Sequence, residues 1–484
     1  MNCKQLPETQ CKLPDCVYVN TQKRKFCRKA VNTRKTRGSV KPVVKPVVKQ
    51  VKPSVKQPTA KFLQMVCETS GECLSFGSHV HEIQTFFKGF TDFKYATGTI
   101  NKLGENSSNG FIREIKYERN HYNAYAVLKS TNHPSRDNIA YEYHVGSKFI
   151  NHIIHQFPCF VHTYGLFYYK TYFEYYTIQH KSPVANARAF LTNALIPELT
   201  TDYKKACTHA QLACVLIQHL HNTKSFYVKL EEDESFIRMH MTHVLFIVYH
   251  ALNALSKSFT HYDLHQDNVL LFQPHKTKTI QYMYHQKDGS TIEFKCPYVP
   301  KIIDYGRCYV NNQHINSKKV YDTLCAIPEC GYCGDEFGFT FMHPEEYLSI
   351  SIQKKNESHD LRLIYNLHKA VPLFHTKLPM SHYRSSESYK RLEKMLSKIQ
   401  YGKSLTMNGK PASREYEDQG TTEDTTLHPK GNIVANVTDA YHELLKIVTN
   451  PKVKEENQRL QPDALVAGIL HIYDDGRPME YFKV

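Results

Sequence analysis

His261-Tyr262-Asp263-Leu264-His265-Gln266-Asp267-Asn268, followed downstream by Ile302-Ile303-Asp304-Tyr305-Gly306, is the stretch on which the reading of this chain turns. A histidine with an aspartate two residues on and an asparagine seven residues on would arise by chance roughly 0.06 times in a sequence of this length, if each type fills about one site in twenty. Upstream, Phe111 to Tyr117 and Tyr122 to Lys129 read as two strands around a turn at Glu118-Arg119-Asn120-His121, the second ending in Ala126-Val127-Leu128-Lys129. Asn138 to Ile153 has helical spacing despite Gly146, and Cys159 to Tyr169 and Cys214 to Leu220 are apolar, strand-like runs. Phe236 to Ser258 repeats apolar residues every three to four positions, as a buried helix does. Strands, helix, strands and then mostly helices predict an α+β protein with a sheet-bearing first lobe and a helical second lobe.

Lysine at a strand end, then the His261–Asn268 loop, then Asp304-Tyr305-Gly306, resemble the protein-kinase signature set. The resemblance spans roughly residues 90–370 and implies a bilobal kinase fold with ATP and Mg²⁺ in the cleft. Transfer of a γ-phosphoryl group demands little covalent chemistry and much charge neutralisation. On this resemblance Asp304 and Asn268 hold the metal, Asp263 orients and deprotonates the acceptor hydroxyl, and Lys129 contacts the α and β phosphates. Glu142, on the helix that starts near Asn138, is the expected partner that keeps Lys129 extended. Gln218 to Leu220 is the expected hinge, holding adenine through backbone groups. Gly104 and Gly110, with small polar residues between them, are the glycines of the expected phosphate-cradling loop. Asp263 and Asp304 stand farther apart than is usual, and the extra length, Thr279 to Val299, reads as a hairpin around Asp288-Gly289. Asp360, in Ser358-His359-Asp360-Leu361-Arg362-Leu363, is expected to cap a helix and brace the catalytic loop.

Three departures matter. Tyr262 replaces the arginine that usually precedes the catalytic aspartate, so control by a phosphorylated loop pairing with that arginine is not expected. His265 replaces the usual lysine or arginine, and Asp-Leu-His also occurs in aminoglycoside and choline phosphotransferases. No Ala-Pro-Glu follows Gly306. The acceptor therefore stays open between a protein and a small molecule, and a catalytically silent scaffold is a further alternative. In detail the motifs look most like the kinase-like proteins of large cytoplasmic DNA viruses, such as iridoviruses and mimiviruses. That resemblance rests on Ala124 to Ser130, Asp137 to Gly146, the His261 loop, the Asp304 turn and Ser358 to Leu363. It implies a serine/threonine protein kinase of the virion or host cytoplasm, acting on viral or host proteins.

The charge is unevenly spread. Of the net +16, residues 1–60 carry 15 Lys and Arg against two acidic residues, and 61–484 are near balance. A molecule basic on every face, built to coat nucleic acid, is excluded. Leu13 to Ala30 is similar to the two-cysteine adaptor segments appended to such viral proteins, implying a tether to a virion protein; nucleic acid is the other partner suited to the arm. Lysines at 41, 45, 49, 52 and 56, with prolines between, favour extended polyproline II and read as a linker. The expected divisions are a basic segment at 1–39, the linker at 40–60, a first lobe at 61–221 and a second at 222–484, with a loop insertion near 402–431. No apolar run reaches 18 residues and Met1 to Asp15 lacks a signal-peptide core, so a soluble cytosolic protein with no membrane partner is expected. The 14 cysteines are scattered and expected to be reduced. Cys330 and Cys333, with Cys325 upstream, are ordinary thiols or half of a zinc or redox site; Cys16 and Cys27 are free or paired.

Overall fold

The computed structural model describes residues 16–21, 24–29, 76–103, 110–134, 139–181, 183–192, 208–325, 340–343, 348–353, 355–356, 358–365, 367, 371–372, 381–399, 406–407, 410–411 and 433–484. The chain divides into two units, residues 1–54 and 55–484. In the first, β1 (Cys16–Thr21) and β2 (Arg24–Lys29) pair antiparallel, with Cys16 opposite Lys29 and Tyr18 opposite Cys27. The Lys-Pro linker, Gly104, the Cys330 and Cys333 pair and most of 402–431 lie outside the described residues. Within that last segment Thr406–Met407 pairs with Lys410–Pro411.

After a short helix, Val80–Phe86, the second unit builds a six-stranded antiparallel sheet from β3 (Ala96–Lys102), β4 (Gly110–Arg119), β5 (Tyr122–Thr131), β6 (Thr163–Tyr168), β7 (Val184–Ala185) and β8 (Ala213–His219). Their order is β6-β8-β5-β4-β3-β7. β4 and β5 meet through Asn120 and His121, both at positive φ, the conformation whose twist matches the flanking strands. Side chains alternate in direction along a strand, which sorts the sheet into two faces. Phe111, Ile115, Tyr117, Ala126, Leu128 and Leu216 fill one core with Phe86, Phe87 and Phe90. On the opposite face Val127, Val215 and Ile217 join the main core of the unit, and Lys129 shares their side of β5.

Between β5 and β6, α1 (Ile139–Val145) continues through a π-helical turn, Gly146–Ile150, into Asn151–Ile153. A Cβ on Gly146 would lie 2.0 Å from Thr163 Oγ1, so only glycine lets the helix approach β6 this closely. Asn151 then clamps Thr163, its Nδ2 donating to the carbonyl at 2.7 Å and its Oδ1 accepting from the backbone N–H at 3.0 Å. α1 is thereby set against the lysine-bearing face of the sheet.

The second half begins with β9 (Lys224–Ser225), a short helix Glu234–Met239 and the buried α2 (Met241–Leu255), so the single helix expected at 236–258 is divided at His240. β10 (Phe259–Thr260) and β11 (Val269–Phe272) bracket residues 261–268. β12 (Thr279–His285) and β13 (Thr291–Cys296) form the expected hairpin, with Gly289 at positive φ in its turn. β14 (Val299–Ile302) pairs with β11, and β15 (Tyr309–Val310) pairs with β10. The expectation of a helical second lobe needs correction. β12 pairs in parallel with β16 (Val466–Tyr473), which pairs with β17 (Glu480–Lys483), giving a four-stranded sheet ordered β13-β12-β16-β17. The parallel partner comes from the far end of the chain, and pairing at such a separation leaves no local trace in β12.

Candidate active site

The β11–β14 ladder brings the two motifs together. Val269 pairs with Ile302, and the backbone N–H of Ile303 donates to Asn268 O at 3.0 Å. Residues 261–268 and 303–308 therefore leave adjacent strands side by side. Facing them, Lys129 stands at the meeting point of sheet and helix, its Nζ 2.8 Å from Glu142 Oε2 and 2.8 Å from Asp304 Oδ1. Glu142 is 1% exposed while the Asp304 side chain keeps 39% of its surface, so the aspartate reaches solvent and the glutamate does not. Burial pushes the Asp304 carboxyl up, and the Lys129 ammonium overrides it, holding the group down at about 2. At Glu142 burial wins and raises the carboxyl. Burial works against the Lys129 charge, but the two carboxylates outweigh it and raise its pKa, so the lysine is a cation at neutral pH.

The loop itself hangs on Asp360. This 2% exposed carboxylate accepts the backbone N–H of His261 at 2.7 Å and of Tyr262 at 3.0 Å. Both oxygens are used, and the bonds offset the positive φ of Tyr262, a conformation that costs about 1–3 kcal/mol. The bracing is as expected; the cap is not, because Asp360 lies inside the 3-10 turn His359–Leu361. Tyr262 turns inward, its ring edge-on to His359 at 5.0 Å. Burial depresses His261 to about 4. The neutral ring donates from Nε2 to Ile303 O at 2.9 Å and accepts the Asp263 N–H at Nδ1, 3.3 Å away, so one tautomer serves both motifs.

Asp263 is held from two sides. Asn268 Nδ2 donates to its carbonyl at 2.8 Å, and Arg362 Nη1 donates to its Oδ1 at 2.8 Å. Arg307 Nη1 lies 3.8 Å from the other carboxylate oxygen. The sequence reading missed both arginines. Arg362 stands two residues after Asp360 and Arg307 three after Asp304, and with His265 replacing the usual cation, a basic residue from elsewhere was the signal to seek. Tyr305 is a third omission. Its hydroxyl donates to Ile302 O at 2.8 Å and accepts from Val161 N at 3.1 Å, pinning the turn in which Asp304 takes a φ of 69°. Tyr141 on α1 donates to Cys308 O, so the helix that carries Glu142 is tied to the residues after Gly306.

The remaining expected residues fall into place less directly. Gly110 opens β4 where a Cβ would lie 2.0 Å from Ser130 O, so its smallness serves the pairing with β5. The loop at 103–109 does connect two adjacent strands, β3 and β4. Gln218 donates its backbone N–H to His162 O at 2.8 Å and accepts from His162 N through Oε1 at 3.2 Å. That donor of the expected hinge is therefore already engaged within the protein. Leu220, just beyond β8, is buried.

No family model and no curated protein matches the sequence. Among solved structures that match, one described as the crystal structure of a kinase domain aligns over 63% of this chain and 84% of its own, with 14% identity and a TM-score of 0.25. At that score the likeness carries no argument. Among the described residues no helix is long and apolar enough to cross a membrane.

As a donor set, the Asp304 carboxylate and the Asn268 amide suit a hard, oxygen-seeking cation such as Mg²⁺. Asp304 is ionised at neutral pH, and Asn268 gives its Nδ2 to the loop, which leaves its carbonyl oxygen as the atom for a cation. Those residues fit. A divalent ion held there would supply positive charge against phosphate oxygens.

Proposed function

We propose that this chain is an ATP- and Mg²⁺-dependent phosphotransferase with a bilobal kinase-like fold, a serine/threonine protein kinase of a large cytoplasmic DNA virus. The observation that carries the proposal is the position of Lys129, ion-paired at 2.8 Å to both Glu142 and Asp304 and facing the Asp360-braced loop. In this reading Lys129 neutralises phosphate charge and Glu142 fixes its reach. Asp304 and Asn268 hold the metal, and Asp263 orients the acceptor hydroxyl and takes its proton. Arg362 keeps Asp263 aimed. Adenine rests against the sheet beside Val127 and Ile217, with the backbone at 219–220 as its hinge. The arm at 1–60 tethers the enzyme to acidic partners, virion proteins or nucleic acid, in the virion or host cytoplasm. The test is transfer from γ-labelled ATP to protein acceptors, with small alcohols and aminoglycosides in parallel. Label in protein supports the kinase, label only in small molecules redirects the acceptor, and no label in either contradicts phosphotransfer.

A further inference from the structure

Glu114 lies in the middle of β4 with its side chain only 10% exposed, and its carboxylate meets the imidazoles of His219 and His221. A buried carboxylate needs a paired charge or a metal. The ladder explains why the three meet: Glu114 is opposite Val127, Val127 opposite Ile217, and His219 follows two residues later on the same face of β8. His221 sits just past the strand end, its ring stacked on Tyr125 at 4.6 Å and 14°. Glu114 Oε1 is 3.2 Å from His219 Nε2 and 2.9 Å from His221 Nδ1. One donor atom from each residue falls within 4.8 Å of the others. Ligands about 2.0–2.2 Å from a tetrahedral Zn²⁺ ion stand roughly 3.3 Å apart, and two histidines with one carboxylate are an established zinc set that leaves a fourth position for water.

We propose that Glu114, His219 and His221 form a binding site for a divalent transition-metal ion of the Zn²⁺ type, tying β4 to the end of β8 and the residues just past it. The stacking of His221 on Tyr125 fixes the ring orientation, the service that outer contacts provide at metal histidines. This site is separate from the oxygen donors Asp304 and Asn268. It does not rest on phosphotransfer, and its test uses no nucleotide. Full-length protein, stripped with chelator and kept reduced, is titrated with Co²⁺ alone, alongside His221→Ala and His219→Ala. The expected result is one equivalent of Co²⁺ with the intense visible absorption of a four-coordinate ion that either variant lacks, or binds at least tenfold more weakly, and that Zn²⁺ displaces. Equal stoichiometry, affinity and spectrum in wild type and both variants overturns the proposal. His221 is 39% exposed at the rim, so His221→Ala decides the matter even if His219→Ala fails to fold.

Discussion

Replacing Lys129 by Met leaves Glu142, nearly without solvent, facing no cation. Removing one member of a buried ion pair costs about 3–5 kcal/mol. Lys129 keeps 24% of its side chain exposed, and solvent screening at that edge lowers the expectation to about 2–3 kcal/mol. Glu142→Gln is milder, about 1 kcal/mol, because Lys129 retains Asp304 and the amide can still accept. The double variant Lys129→Met/Glu142→Gln removes the buried carboxyl left without its cation, so it should be more stable than the sum of the singles by about 1–2 kcal/mol. Urea unfolding of the four proteins reads this coupling directly. Activity should behave differently: both Lys129 variants lose phosphoryl transfer, with no recovery in the double. Stabilities that add within about 0.5 kcal/mol would refute the pairing, and transfer that survives Lys129→Met would refute its role.

Other perturbations follow from the same contacts. Asp360→Asn deprives one loop N–H of its acceptor and should cost about 1.5–3 kcal/mol, with a larger proportional fall in transfer than in ATP affinity; wild-type turnover with a stable fold would show that the loop holds its shape without it. Burial depresses His162 and His240 to about 3 and His243 and His261 to about 4, below the unfolded value near 6.5. The unfolded chain binds the extra protons, so the stability these rings contribute is present above pH 6.5 and is lost as pH falls, by up to about 5 kcal/mol per unit where all four differ. A urea midpoint unchanged from pH 7 to 5 would contradict that. Residues 61–484 alone should keep the catalytic rate but lose salt-sensitive binding to polyanions; equally tight binding by the truncated protein would move the basic surface to the body.

The sequence made the site legible where local pattern suffices. Asp263, Asn268 and Asp304 sit in short motifs, and the β4–β5 hairpin and α1 declared themselves by alternation and helical spacing. The Lys129–Glu142 pair could be anticipated from order along the chain, and the structure places the two in contact. What stayed hidden depends on three-dimensional neighbours. Arg362 reaches Asp263 from 99 residues away, and nothing in Leu361-Arg362-Leu363 marks that reach. β16 has a readable strand composition, but its parallel pairing with β12 is a tertiary choice. Gln218 was expected at the hinge, and only the contact with His162 shows that its N–H is taken. Glu114 stands far in sequence from His219 and His221, and strand register brings it beside them.

The central claim is phosphoryl transfer by the Lys129, Asp263 and Asp304 constellation. The most direct measurement is transfer from γ-labelled ATP by purified full-length protein with Mg²⁺, compared with Asp304→Asn and Asp263→Asn at matched nucleotide occupancy. The account predicts label transferred by the wild type, none detectable with Asp304→Asn, and a fall of at least a hundredfold with Asp263→Asn while ATP still binds, since general-base catalysis contributes about 10²–10⁴. Wild-type transfer no greater than that of the two variants would contradict it.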